Sequence, residues 1–170
     1  MRSRVEVNFG SLIRRLDDHP FWPSYLVDAA APPNRVGLHL AIFAEPFLSL
    51  VLNGRKTVES RFSRNRCAPF GEVAEGDIIL IKAVAGPIRG IALAEAAWFF
   101  DLASVPLNRL KDRFGATICA DEGFWYARRD AAYATLIQLA ETTTIDPLSC
   151  DKRDRRGWVP LRSRQSALAF

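Results

Sequence analysis

From Gly37 onward, the apolar residues of this chain come in short segments of strand length, and this pattern constrains the fold more than any other feature. Segments that are continuously apolar, or that alternate apolar and polar residues, predict β-strands. They lie at 38–43, 57–62, 78–82, 88–100, 132–142 and 157–161. Helical segments are fewer and lie at 45–54, 104–114 and 121–131. This order predicts an α+β fold in which a small mixed β-barrel is flanked by short helices.

The first 36 residues follow a different pattern. Apolar residues recur at helical spacing between Phe9 and Leu16, which predicts a short amphipathic helix. An aromatic segment follows and ends at the break of Pro32 and Pro33. We therefore predict a helical appendage over residues 1–36 and one main domain over residues 37–165.

Several familiar kinds of site are missing from the sequence. The two histidines and three cysteines form no pair at metal-ligand spacing, so we expect no metal. Glycine-rich phosphate-binding motifs and the nucleophile-elbow motif are also absent, and we expect no cofactor. No apolar run approaches the ~20 residues that cross a membrane, and the N-terminus lacks an apolar signal segment. With its isolated cysteines, the chain is predicted to be cytoplasmic and not to bind membranes.

Basic residues are concentrated in two segments. The net charge is only +4, but residues 54–66 carry five Lys/Arg and one acid, and residues 152–164 carry six Lys/Arg and one acid. The two segments hold 11 of the 23 Lys and Arg residues, so the rest of the chain is net negative. If the segments meet in space, they form a site for a polyanion; if they lie apart, they are two solvated loops.

The most specific motif joins the first helix of the main domain to the next strand. Residues 54–61 read GRKTVESR, which contains the pattern G-x-K-x-x-E-x-R. The preceding helix has Pro46 in its first turn, and Gly54 takes the position just after its end. Later features are a Glu-Gly-Asp turn at 75–77, a strand that contains Gly90, and the segments 133–136 and 152–158. In these features the chain resembles the ASCH domain, a branch of the PUA-like superfamily, over roughly residues 38–162.

This resemblance implies a PUA-like pseudo-barrel with a cleft beside the helix–strand junction. It also implies a role in RNA binding, RNA processing or translation-linked regulation. One branch of small members hydrolyses N4-acetylcytidine with a lysine and a threonine of this junction and a later glutamate. The lysine corresponds to Lys56, whereas Glu59 stands where that branch has its threonine.

Three residues of the motif are candidates for ligand binding. Glu59 and Arg61 share one face of the predicted strand. The ammonium of Lys56 can reach a phosphate or a developing oxyanion. Glu59 can accept a hydrogen bond from the amine of a base or act as a general base. The alternative is that Glu59 and Arg61 form a purely structural ion pair.

Further candidates lie outside the motif. Lys152, Arg153 and Arg156 are predicted to contact phosphates, unless their turn is simply solvated. Trp125 is a candidate for stacking on a base, although an aromatic run in a helix also packs into a core.

We therefore predict that a basic cleft formed by these residues binds RNA or a nucleotide-like ligand, including a modified nucleotide. The alternative is a hydrolase of N4-acetylcytidine or of RNA, with Lys56 and Glu59 as its catalytic residues. A third possibility is a protein-interaction module in transcriptional or translational control. Because the sequence has no obvious nucleophile, binding is favoured over covalent catalysis.

Overall fold

The computed structural model describes residues 5–152 and 155–165. Within these ranges it contains six β-strands and five short α-helices. The strands are β1 (Leu38–Phe43), β2 (Val58–Ser63), β3 (Ile78–Ala83), β4 (Ile88–Asp101), β5 (Tyr133–Leu148) and β6 (Trp158–Arg162). The helices are α1 (Phe9–Arg15), α2 (Trp22–Ala30), α3 (Phe47–Leu52), α4 (Leu107–Ile118) and α5 (Glu122–Ala127). No helix in this part of the chain is long and apolar enough to cross a membrane.

The strands of the described residues form one sheet in the order β2-β5-β4-β3-β1-β6. Strands β1 and β3 are parallel, and the other pairs are antiparallel. Parallel strands need a crossover connection, and here α3 and β2 form it. The long strands β4 and β5 shift register between Ile88 and Ala96, and such irregularities bend and twist a sheet. The sheet curls into a half-barrel with β2 and β6 at its two edges, and with the five short helices it confirms the predicted α+β class.

The N-terminal helices share a hydrophobic core with the sheet. Leu12 of α1 and Leu26 of α2 lie fully buried in one cluster with Leu40 and Leu80 of β1 and β3. Trp22 is also fully buried, and its indole N–H donates a 2.8 Å hydrogen bond to the carbonyl oxygen of Glu141 in β5. Residues 9–30 are thus joined to the sheet by both packing and hydrogen bonding.

Helices α4 and α5 cover another part of the sheet. Leu110 and Phe114 of α4 pack with Trp125 of α5 in a second buried cluster. This cluster includes Val58 of β2 and Leu136 of β5. It supports the outer side of β2, the strand that carries the predicted motif.

The strands lie where the sequence predicts them, and the differences are at element ends and in one helix. Strand β5 continues to Leu148, beyond the predicted end at residue 142, because its polar residues still pair with β4. Helix α4 ends before Cys119, which takes the left-handed conformation (φ 60°) that usually marks a glycine. Helix α2 is not predicted, since Pro23 interrupts an aromatic run; the proline lies in the first turn, where a helix tolerates it.

Candidate functional site

The junction between α3 and β2 positions the residues of the motif. Gly54 has a φ of 79°, a conformation that costs little for glycine only, and it turns the chain away from the end of α3. The amide of Lys56 then donates a 2.9 Å hydrogen bond to the carbonyl oxygen of Leu50, and the amide of Thr57 donates one of 3.0 Å to Thr117. These contacts fix Lys56 at the start of β2.

The ammonium of Lys56 is buried and bound to backbone oxygens. Its side chain is 2% exposed. Nζ donates hydrogen bonds to the carbonyl oxygens of Val58 at 2.8 Å and Ile118 at 3.2 Å. Ile118 is the last residue of α4, where the helix dipole favours a positive charge. Nζ also lies 5.2 Å from the centre of the Phe47 ring. Lys56 therefore ties the start of β2 to the end of α4.

Glu59 is a buried carboxylate with one oxygen left without a donor. Oε1 accepts a 2.7 Å hydrogen bond from Nε of Arg61. Oε2 lies 3.3 Å from Nζ of Lys56, which is an ion-pair distance, but the two atoms are not aligned for a hydrogen bond. Among the residues described, Oε2 has no hydrogen-bond partner. Because Oε2 accepts no hydrogen bond from these residues, it is suited to accept one from a ligand.

Arg61 closes the open side of the half-barrel. Its Nη2 donates a 2.9 Å hydrogen bond to the carbonyl oxygen of Ile42 in β1. Its Nη1 donates one of 3.0 Å to Gly157, the residue before β6. The guanidinium also lies over the rings of Phe43 at 5.2 Å and Trp158 at 5.4 Å. Arg61 thus connects the edge strand β2 to the opposite end of the sheet and holds Glu59 in place.

Lys56, Glu59 and Arg61 line one cleft with a volume of about 590 Å³. This volume lies within the range of small-molecule sites. Aromatic side chains provide much of the rest of its wall: Phe43, Phe47, Phe62 and Phe124. The ring of Phe124 meets Phe47 at 5.6 Å and Phe62 at 6.0 Å, both edge to face. The cleft, which we call the aromatic cleft, therefore suits a flat ring that also forms hydrogen bonds.

The aromatic cleft has three further polar lining residues that the sequence analysis misses: Glu45, Ser60 and Arg128. Ser60 has a buried hydroxyl that lines the cleft and has no hydrogen-bond partner in the described part of the chain. Arg128 places its guanidinium 3.4 Å from the ring centre of Phe124 and donates a 2.9 Å hydrogen bond to the carbonyl oxygen of that residue. The only signal for Arg128 in the sequence is its position two residues after an aromatic run.

The charges in the cleft influence one another. Burial lowers the pKa of Arg128, while the carboxylate of Glu59 raises it and the guanidinium of Arg61 lowers it. Arginine nevertheless remains protonated at neutral pH, since its ordinary pKa is far above 7. Arg128 thus brings a permanent positive charge to the aromatic face of the cleft.

Among the described residues of the second basic segment, none lines this cleft. Lys152 lines a different concavity, beside Cys150 and the turn between β3 and β4. Arg156 is absent from the described residues that line the aromatic cleft, and Arg153 lies outside the described residues. The physical reason is the path of the chain. The segment starts beyond the end of β5 at Leu148, and it contacts Arg61 through the backbone carbonyl of Gly157.

Trp125 lies in the core and not on the cleft wall. It is 5% exposed and packs edge to face against Phe62 at 5.9 Å. Its neighbour Phe124 provides the ring that faces the cleft. Adjacent residues of α5 therefore face different sides: Phe124 faces the aromatic cleft and Trp125 faces the core.

A buried polar network supports the inner side of the site. Trp158, which lies against Arg61, donates a 3.1 Å hydrogen bond from Nε1 to Nδ1 of His39. Nε2 of His39 lies 3.0 Å from Oδ2 of Asp77. Because an indole nitrogen can only donate, Nδ1 of His39 is the acceptor, and Nε2 carries the hydrogen toward Asp77. The network orders Trp158 beneath the guanidinium of Arg61.

The described residues contain no group of three or more His, Cys, Asp or Glu side chains that could hold a metal ion. No protein-family model and no curated protein matches this chain.

Solved structures do match. The chain is similar to the protein ASCH from Zymomonas mobilis, with a TM-score of 0.54 and 24% sequence identity over 65% of this chain and 72% of that chain. A single-residue variant of that protein gives a TM-score of 0.53 at the same identity, over 65% of this chain and 74% of the other. The fold is therefore that of an ASCH domain, as the motif at residues 54–61 predicts.

Proposed function

We propose that the aromatic cleft binds a nucleotide, free or within RNA, and that it prefers a base that carries an exocyclic amine. A fold does not determine a function, so the proposal depends on the site and not on the fold alone. The observation that supports it most directly is the oxygen Oε2 of Glu59. This atom belongs to a carboxylate that is 5% exposed and accepts no hydrogen bond from the described residues.

Glu59 suits the amine of cytosine or adenine. A carboxylate only accepts hydrogen bonds, and the N4 amine of cytosine donates them. Uracil has a carbonyl oxygen at the same position, and this oxygen would face the negative charge of Glu59. The cleft is therefore expected to discriminate cytosine from uracil, two rings of almost equal size.

The remaining walls suit the rest of a nucleotide. Phe47, Phe62 and Phe124 provide apolar surface against which a flat base can pack. Arg128 uses one N–H for the carbonyl oxygen of Phe124, and its fork of donors has others for a phosphate oxygen. The ammonium of Lys56 lies 3.3 Å from Oε2 and offsets the negative charge of the buried Glu59 beside the ligand.

Binding agrees with the geometry better than hydrolysis does. The ammonium of Lys56 has no lone pair and donates to two backbone oxygens, so it is not arranged as a nucleophile. The hydroxyl of Ser60 lines the cleft, but a serine nucleophile needs a base within hydrogen-bond distance, and no described residue provides one. Glu59 is itself held by Arg61 at 2.7 Å.

The test compares cytidine 5′-monophosphate (CMP) with uridine 5′-monophosphate (UMP) by calorimetric titration. We expect CMP to bind tighter by roughly five- to one-hundredfold, the discrimination that one well-formed base contact provides. Glu59→Gln should reduce this preference, because an amide offers both a donor and an acceptor. The exposed Glu72 provides the matched control, and Glu72→Gln should leave the preference unchanged.

A second variant tests the phosphate contact separately. Arg128→Gln should weaken CMP binding more than cytidine binding, since only CMP carries a phosphate. If neither nucleotide binds at millimolar concentration, or if CMP and UMP bind equally well to the wild type, the proposed function is wrong.

A further inference from the structure

We propose that a single strand of nucleic acid continues from the aromatic cleft onto a second site on the same face of the sheet. This second site, which we call the aromatic platform, consists of Arg66, Phe70, Phe99 and Tyr133. The inference rests on the proposed function of the cleft and extends it from a single nucleotide to an oligonucleotide.

The strand register puts the platform on the same side of the sheet as Arg61. Arg61 of β2 pairs directly with Thr135 of β5, and Thr135 pairs directly with Phe99 of β4. Side chains of directly paired residues point to the same face of a sheet. With strands about 4.8 Å apart, Phe99 lies two strands, or about 10 Å, from Arg61. A short oligonucleotide covers that distance.

The aromatic rings of the platform form a cluster that reaches the surface. Phe70 lies 5.5 Å from Phe99 and 5.1 Å from Tyr133, in both cases edge to face. Phe99 is 39% exposed, so part of its ring is open to solvent. The cluster fixes its rings through contacts on one side and leaves ring surface open on the other.

Arg66 adds a positive charge at the edge of this cluster. Its guanidinium lies 5.2 Å from the ring centre of Tyr133 and 5.9 Å from that of Phe70. Arg66 is exposed, and it forms no ion pair with the acidic residues described, whereas Arg64 has Asp130 at 3.9 Å. A guanidinium that is already ordered on aromatic rings loses little side-chain entropy when it contacts a phosphate.

A second concavity borders the cleft and lies on the side of Arg61 toward the loop that carries Phe70. It has a volume of about 200 Å³ and shares Arg61 and Phe62 with the aromatic cleft. Its other side is formed by Cys67 and Pro69 of the loop that leads to Phe70. We expect a strand that leaves the cleft beside Arg61 to cross this concavity and to reach the platform over the loop of Cys67 and Pro69.

The aromatic platform combines exposed rings with an arginine, and it lies near a cleft that holds one base. This combination indicates that a single strand occupies the two sites. Stacking on aromatic rings tolerates every base, and arginine holds the backbone between stacked bases. A duplex hides its base faces and could use neither the cleft nor the platform. The cleft would therefore select one nucleotide, while the platform would hold its neighbours without regard to sequence.

The experiment compares CMP with a cytidine hexamer of RNA by fluorescence anisotropy competition. The wild type should bind the hexamer at least tenfold tighter than CMP. Phe99→Ala should weaken hexamer binding by roughly five- to one-hundredfold, the effect of removing one stacking ring, and should leave CMP binding unchanged. Arg66→Ala should act in the same direction. The exposed Val84 and Arg109 supply matched controls, and Val84→Ala and Arg109→Ala should change neither affinity.

Alkylation of Cys67 gives an independent readout. Cys67 is exposed, whereas Cys119 and Cys150 are partly buried. The hexamer should protect Cys67 from a maleimide, as measured by peptide mass spectrometry, and CMP should not. The platform proposal is wrong if the wild type binds CMP and the hexamer with equal affinity. It is also wrong if neither Phe99→Ala nor Arg66→Ala changes the affinity for the hexamer. Both outcomes are compatible with the proposed function of the cleft. If the wild type binds neither the hexamer nor CMP, both proposals are wrong.

Discussion

Nη2 of Arg61 donates a 2.9 Å hydrogen bond to the carbonyl oxygen of Ile42, and this contact spans the open side of the half-barrel. The same guanidinium holds Oε1 of Glu59 at 2.7 Å. One side chain therefore closes the fold and fixes the carboxylate proposed to contact the ligand. Because Arg61 has both roles, a substitution of Arg61 should change both the free energy of unfolding and the affinity for the ligand.

The first prediction concerns the contribution of Arg61 to stability. Arg61→Ala removes three hydrogen bonds and leaves the buried Glu59 with Lys56 as its nearest cation. We expect the free energy of unfolding to fall by about 2–4 kcal/mol, since breaking a largely buried ion pair is costly. Urea unfolding followed by tryptophan fluorescence measures this change.

Arg64 provides the matched control for that measurement. It lies just beyond β2, its side chain is 77% exposed, and it is 3.9 Å from Asp130. Arg64→Ala should change the free energy of unfolding by less than about 0.5 kcal/mol, as exposed ion pairs contribute little. Similar losses in the two variants would mean that Arg61 does not hold the sheet closed.

The second prediction concerns acid stability and Asp77. Burial alone would raise the pKa of Asp77, but hydrogen bonds from His39, Arg164, Gly37 and Ala74 outweigh it and lower the pKa from 3.8 to about 2. The folded protein therefore binds this proton less readily than the unfolded chain does. The resulting stability is complete above about pH 4 and is lost as the pH falls toward 2.

The measurement compares Asp77→Asn with the wild type in urea at several pH values. The difference in the free energy of unfolding should be about 2 kcal/mol smaller at pH 2 than at pH 5, since one pKa unit corresponds to about 1.4 kcal/mol. A difference that stays constant over this range would show that the hydrogen bonds to Asp77 do not favour its ionised form.

Local sequence signals predict the strands and the first part of the site well, and each signal has a direct physical origin. The segment 38–43 is a strand because continuous apolar residues suit a buried position in a sheet. Gly54 ends α3 because the chain there needs a positive φ. Glu59 and Arg61 meet because alternate residues of a strand share a face.

The parts of the site that depend on distant contacts are not predictable in this way. Arg128 reaches the aromatic cleft through the packing of α5 against β2, and no local pattern encodes that contact. The separation of Lys152 from Lys56 depends on where the long strand β5 ends. Charge segregation along a sequence therefore identifies basic segments but not whether they meet.

The third prediction uses two glycines with opposite environments. A Cβ atom added to Gly90 would lie 2.5 Å from Cδ2 of Leu52 and 3.1 Å from the carbonyl oxygen of Thr143. Gly90→Ala should therefore lower the free energy of unfolding by about 1–3 kcal/mol. Gly115 lies in α4, and its Cβ would meet its nearest neighbour, Nε1 of Trp125, at 3.9 Å.

Gly115→Ala should raise the free energy of unfolding by about 0.5–1 kcal/mol, because alanine is the better helix former and no clash opposes it. Thermal unfolding of the two variants side by side tests both expectations. Stabilisation by Gly90→Ala would show that α3 does not pack as closely on β4 as the distance to Leu52 indicates.

The fourth prediction separates a binding protein from a hydrolase. N4-acetylcytidine keeps one N–H on its N4 atom, so Glu59 can still accept a hydrogen bond from it. Hydrolysis would also require an activated nucleophile. Lys56 directs its hydrogens to Val58 and Ile118, and the hydroxyl of Ser60 has no base beside it among the described residues. We expect the wild type to bind N4-acetylcytidine and to release no acetate above the uncatalysed rate.

The wild type, Lys56→Ala and Glu59→Gln are each incubated with N4-acetylcytidine, and chromatography separates the remaining substrate from cytidine. Circular dichroism verifies that each variant is folded. Binding measured in parallel should be weakened in Lys56→Ala, because the buried carboxylate of Glu59 then loses the cation 3.3 Å from Oε2. If Glu59 were instead a general base, Glu59→Gln would reduce turnover by about a hundredfold or more. Robust turnover by the wild type that is lost in both folded variants would therefore replace the binding function with a hydrolase in which Lys56 and Glu59 take part in the reaction.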